Sequence, residues 1–228
     1  MSDIVKNLAM INQSISVAAY KSGRTQEDIQ LIGVTKTVEP ERIRQLVLEG
    51  VCNIGESRVQ EFIPKYETFD ESLMPKWHFI GHLQRNKVKF VVDKVTMIHS
   101  VDSLALAQEI DKRAEKSGLT MDVLVEINIA SEGSKHGISP LQAIPFMEEL
   151  ARLRNIKTKG LMCIAPYVEN PDDNRPYFEK MRNLLIDINT AHVHNHSLTE
   201  LSMGMSGDYA VAIEEGATMV RIGTALVG

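Results

Sequence analysis

Long hydrophobic runs are missing from this 228-residue chain, and no stretch approaches the length of a membrane span. The opening residues Met1-Ser2-Asp3-Ile4-Val5-Lys6 begin an amphipathic helix and lack the uninterrupted apolar core of a signal peptide. We therefore expect neither a membrane nor export, and a cytoplasmic protein. Cysteine is scarce. Cys52 and Cys163 lie outside any CxxC spacing and fall in or at the end of predicted strands, so we expect buried reduced thiols. Positive charge is not in excess either: the net charge is -5, with lysine and arginine scattered, which removes the electrostatic footprint of a nucleic-acid binder. Linkers, low-complexity segments and internal repeats are also absent. The chain, at 43% hydrophobic and 24% charged, reads as one domain over residues 1–228 with a full core.

What the chain does have is alternation. Apolar positions Ile4, Val5, Leu8, Ile11, Ile15 and Ala18 recur at helical spacing after a capping Ser2, and Gly23 ends that helix. Short runs rich in Val, Ile and Met then appear at about 31–35, 51–54, 77–80, 95–99, 122–129, 158–162, 198–202 and 218–222. Helical patterns separate them at 40–50, 59–68, 84–94, 102–118, 139–153, 174–190 and 208–216. Eight strands spaced by helices imply parallel pairing with right-handed crossovers. The expected fold is a single (β/α)8 barrel of the TIM type with one extra N-terminal helix. A doubly wound open sheet produces the same alternation, but no Gly-rich dinucleotide fingerprint follows the first strand.

A parallel barrel delivers all its strand ends to one face, where active sites form. Here those ends are Lys36, Gly55-Glu56-Ser57, Gly81-His82-Leu83-Gln84, His99-Ser100, Asn128, Met162, Ser202-Met203-Gly204-Met205-Ser206 and Arg221-Ile222-Gly223-Thr224. Lys36 stands out, because an ammonium carried into a barrel mouth is desolvated and becomes an amine able to attack a carbonyl. The plainer reading is a strand-end lysine in solvent. Across the mouth, Gly204, Gly207 and Gly223 let the backbone approach an anion, and Ser206 and Thr224 add hydroxyl donors, an arrangement that barrels use for phosphate. Taken singly, such glycines merely make turns.

Phosphate plus imine points to pyridoxal 5'-phosphate as cofactor. Arg221 then gains a role facing the pyridine nitrogen, where a guanidinium donates a hydrogen bond without protonating the ring. A structural salt bridge is the alternative for Arg221. Other groupings carry less. His192, His194 and His196 alternate as metal ligands do, but they lie in a helix-to-strand connection at the wrong end of a barrel, and we expect no metal site. His78 is expected within the third strand, with only His82 reaching the mouth, to orient a ligand or to serve the structure. The basic segments Arg85-Asn86-Lys87-Val88-Lys89 and Lys135-His136-Gly137 are either solvated or draw in an anionic ligand.

These motifs resemble those of the pyridoxal phosphate homeostasis proteins, which are similar to the N-terminal barrel of alanine racemase. The matching stretches include Gly33-Val34-Thr35-Lys36, Gly55-Glu56, Trp77-His78-Phe79-Ile80-Gly81-His82-Leu83-Gln84, His99-Ser100-Val101-Asp102-Ser103, Gly160-Leu161-Met162, Leu201 to Ser206 and Val220 to Thr224. The resemblance implies that Lys36 forms the internal aldimine, that Ser206, Gly223 and Thr224 contact the phosphate, and that Arg221 faces the pyridine nitrogen. One position departs from the family pattern, since Ser57 stands where Asn is usual.

The resemblance also implies a non-catalytic protein that binds, buffers and delivers the cofactor, with apo-enzymes as recipients. We expect no catalytic residue and a monomer. Racemisation needs a base on each face of a carbanion, and Lys36 serves only one. The alternatives are an amino-acid racemase or lyase using the same aldimine, and an aldolase in which Lys36 forms an imine with a sugar phosphate.

Overall fold

The computed structural model describes residues 3–130, 136–193 and 197–228. Its first element, α1 (Asp3–Lys21), turns Ile4, Leu8, Ile11, Ile15, Ala18 and Ala19 inward. It stops at Gly23, whose φ of 73° permits the two closing bonds Gly23 N–H to Tyr20 O and Arg24 N–H to Ala19 O. The Ser2 cap lies outside the described residues.

Eight parallel strands follow: β1 (Gln30–Val34), β2 (Asn53–Glu56), β3 (Lys76–Phe79), β4 (Met97–Val101), β5 (Met121–Glu126), β6 (Ile156–Met162), β7 (Glu200–Met205) and β8 (Met219–Ile222). Each pairs with its successor, and β8 pairs back onto β1 through Gln30–Met219, Leu31–Val220, Ile32–Arg221 and Gly33–Ile222, closing a barrel. The open sheet is thereby excluded. Between the strands stand α2 (Pro40–Leu48), α3 (Val59–Tyr66), α4 (Leu104–Lys116), α5 (Ala143–Leu150), α6 (Arg175–Thr190) and α7 (Tyr209–Glu214), with a last short helix α8 (Thr224–Val227) after β8.

Strand alternation divides the buried side chains. Outward residues such as Ile54, Trp77, Ile98, Val123 and Val220 pack under the helices in one continuous core. Inside the barrel, Ile32, Met97, Leu124, Met162 and Met219 form a separate cluster. Polar inward residues lie with that plug: His78 and His99, and Ser202, Glu126 and Arg221 nearer the mouth, all buried. No described helix is long and apolar enough to cross a membrane.

Two expectations fail. The segment expected as a helix over 84–94 is a 3-10 turn at Arg85–Phe90, held by i to i+3 bonds such as Val91 N–H to Val88 O. The buried residues Val88, Val91 and Val92 of that segment are all β-branched, which crowds the preceding turn of an α-helix. Cys52 is exposed, because it precedes β2 instead of lying within it; Cys163 is buried as expected.

Candidate functional site

At the C-terminal mouth, the ends of β1, β2, β6, β7 and β8 surround a cleft of about 590 Å³, a usual size for a small-molecule site. Lys36, Ser206, Arg221, Gly223 and Thr224 all line it, and so does Ser57. His82 does not.

Lys36 follows β1 and is exposed, so the chain does not supply the desolvation expected for its amine. Its Nζ has no hydrogen-bond or ion-pair partner among the described residues. The backbone that carries it is fixed from behind. Thr35, fully buried, donates to Glu56 Oε1 at 2.6 Å, and Lys65 Nζ bonds both that oxygen and Thr35 O at 2.7 Å. Thr37, next along, holds φ at 65°, a conformation costly for a β-branched residue and common where a site is held under strain. Glu56, read from the sequence as a mouth residue, turns outward into this clamp with α3.

Across the cleft, Ser206 Oγ accepts from Gly223 N–H and Ala225 N–H, each at 3.3 Å. Hydroxyl and amide donors therefore converge on one spot. A Cβ on Gly223 would stand 3.3 Å from Val34 Cβ, so glycine keeps the β8 end close to β1. The remaining wall is the loop after β6, with Ile164, Ala165, Pro166, Tyr167 and Val168. Sequence reasoning missed it, although Ala165-Pro166-Tyr167 breaks the strand pattern visibly. Asn174 ties this wall to the β7 side by donating to Pro166 O at 3.0 Å and to Asp208 Oδ2 at 2.8 Å.

Arg221 sits under the cleft, 4% exposed. Nη1 donates to Ser202 O and Oγ at 2.7 and 2.6 Å, and Nη2 donates to Cys163 O at 2.7 Å. The salt bridge kept open for it is absent among the described residues. Three of its five N–H groups are thus engaged, and the other two have no protein acceptor among the described residues. Burial lowers its pKa from the usual value.

Behind Arg221 runs a buried chain that the sequence did not foretell. Ser202 Oγ lies 3.0 Å from His99 Nδ1, His99 Nε2 lies 2.9 Å from His78 Nδ1, and His78 Nε2 lies 3.2 Å from Asn53 Oδ1. Burial holds both imidazoles neutral, with His78 lowered to about 4 and His99 driven well below its ordinary value. Arginine only donates and the Asn53 carbonyl only accepts, so every proton points one way, from Arg221 through Ser202, His99 and His78 to Asn53. Nearer the mouth, burial and the charge of Asp102 raise Glu126 to about 7, opposed by Arg221.

The donor set fits an anionic ligand with one ring acceptor: amide and hydroxyl groups gather on one side, a guanidinium offers unused N–H groups below, and a free amine stands opposite. His194, His196 and Lys135 lie outside the described residues, and His192 stands at the far end of α6.

The sequence matches the family described as alanine racemase, N-terminal domain, over residues 17–228. It is 47% identical over 223 residues to the pyridoxal phosphate homeostasis protein of Aquifex aeolicus, covering 98% of this chain and 96% of that one. Among solved structures, PipY of Synechococcus elongatus, determined with pyridoxal phosphate bound, superposes with a TM-score of 0.86 at 31% identity, over 99% of this chain and all of PipY. An alanine racemase of Clostridium difficile shares the fold at a TM-score of 0.73 and 21% identity, with this chain spanning 56% of its length. Matches of this identity and coverage show that the chain belongs to the pyridoxal phosphate homeostasis protein family, whose barrel is that of the alanine racemase N-terminal domain.

Proposed function

We propose that this protein binds pyridoxal 5'-phosphate covalently through Lys36 and serves as a non-catalytic reservoir that buffers the cofactor and delivers it to apo-enzymes. The observation that carries this reading is the meeting, in one cleft, of an exposed amine without a partner and a cluster of hydroxyl and amide donors. When bound, the cofactor supplies an aldehyde carbon that an amine attacks and a phosphate that needs neutral or cationic donors.

In this reading Lys36 Nζ is the attacking amine. Ser206, Gly223 and Thr224 hold the phosphate, and the spare N–H groups of Arg221 meet the ring nitrogen. Arg221 cannot protonate that nitrogen, which limits carbanion chemistry. The exposure of Lys36 and Tyr167 leaves the cleft open to water and to competing amines, which suits exchange better than turnover. The same reading makes residues 1–228 one domain acting as a monomer in the cytoplasm.

A second reading, an amino-acid racemase or lyase, draws on Glu126, whose value near neutrality suits a general base. Glu126 does not line the cleft, so it stands in the wrong place for that task.

Purified protein incubated with the cofactor is expected to show a visible absorbance band, to be reduced by borohydride, and to carry the label on Lys36 by mass spectrometry. Lys36→Ala loses both band and label. A label on another lysine, or no band at all, overturns the proposal. Steady amino-acid racemisation that disappears in Lys36→Ala selects the second reading.

A further inference from the structure

Outside the cleft, three consecutive strand ends bring His82, Asp102 and His136 together, after β3, β4 and β5. Asp102 Oδ2 lies 3.3 Å from His82 Nδ1 and 3.9 Å from His136 Nδ1, and the three candidate ligand atoms all lie within 4.8 Å of one another. The two imidazoles stack face to face, with ring centroids 3.9 Å apart and planes 12° from parallel. One carboxylate oxygen thus faces two imidazole nitrogens.

We propose that His82, Asp102 and His136 form a binding site for a divalent transition-metal ion. Two ligands held about 2.1 Å from one ion at tetrahedral or right angles stand roughly 3.0–3.4 Å apart. The His82–Asp102 pair already has that spacing, and His136 must close by about half an ångström or more. Stacked rings do not aim both lone pairs at one point, so each must turn. The His82 and His136 side chains are 41% and 58% exposed, so the turn has to break their mutual stacking on the solvent side and not core packing. Asp102 is the fixed member, 13% exposed and set immediately beyond β4.

Two imidazoles with one carboxylate select borderline ions such as Zn²⁺, Co²⁺ or Ni²⁺ over Mg²⁺ and Ca²⁺, which take oxygen ligands. Three protein ligands leave coordination positions to water or to an incoming oxygen anion. The proposal departs from the sequence expectation of no metal site, which was argued at the His192–His196 run. The site shares no residue with that run and none with the cofactor cleft, so it stands whether or not the cofactor reading does.

The test uses the untagged full-length chain, stripped with chelator and titrated with ZnCl2 by calorimetry and with CoCl2 by visible absorbance. One ion per chain is expected, with cobalt ligand-field bands. His82→Ala, His136→Ala and Asp102→Asn should each weaken binding by about tenfold or more. Zinc binding should persist in Lys36→Ala and in a variant with His192, His194 and His196 all changed to Ala. If Asp102→Asn does not fold, the two exposed histidines decide the matter alone. The proposal fails if binding does not saturate at one ion, if it survives both histidine variants, or if it follows the His192–His196 run.

Discussion

Arg221 brings a positive charge into the barrel interior without a carboxylate in hydrogen-bond contact among the described residues, and the one-way chain behind it accounts for this. Each link presents its acceptor end toward the guanidinium, so the row behaves as a dipole with its negative end at Arg221. Nitrogen-15 spectra of the histidine side chains at pH 7 should therefore find both His78 and His99 neutral, with hydrogen on Nε2; hydrogen on Nδ1 of either ring breaks the chain. Glu126 gives a second prediction. Its folded value of about 7 stands above the ordinary 4.5, so the unfolded chain releases this proton first and stability falls as pH rises from 4.5 to 7. Glu126→Gln should match the wild type near pH 4 and exceed it by up to about 3 kcal/mol at pH 8, read from urea unfolding. Lys36 was legible in the sequence because a lone amine ended an apolar run. The surroundings of Arg221 were not, since Ser202 and His99 meet across 103 positions and only barrel closure sets that register.

At the scale of elements, the β1 end, the β2 end and α3 are locked by one buried ion pair, Lys65 with Glu56, whose side chains are 10% and 0% exposed. Removing one partner strands the other. Lys65→Met should cost about 3–5 kcal/mol in urea unfolding and displace Lys36, whereas Glu56→Leu combined with Lys65→Met should recover most of that loss. A double variant as unstable as the single one would show that the strand ends depend on the charges themselves. The strands were readable from their apolar runs, yet β2, β4 and β7 run two or three residues past those runs, into Glu56, Ser100 to Val101 and Met203 to Met205. Ladder hydrogen bonds need only backbone, so hydropathy does not mark where such a strand stops, and Glu56, Ser100, Val101 and Met203 are buried beyond the runs. The clamp escaped for a related reason: Lys65 reads as a surface residue of an amphipathic helix until α3 is docked.

For the whole molecule, α1 ties the first residues to the last elements by packing on α7 and α8. Asn7 Nδ2 donates to Leu226 O at 3.2 Å, and Lys21 pairs with Glu214 at 2.8 Å. Ile11 is buried in that seam, so Ile11→Ala should lower stability by about 2–5 kcal/mol. The loss should appear as a shifted urea midpoint in a single transition, and a separate early transition would mean that α1 unfolds independently of the barrel. The Asn7–Leu226 bond spans 219 positions, and four of the five proposed ligand-binding residues come after residue 205. Contacts of such separation form late and slowly. On the ribosome, the amine at position 36 emerges long before the groups opposite it, so a nascent chain has no pocket to offer until residue 224 has emerged as well.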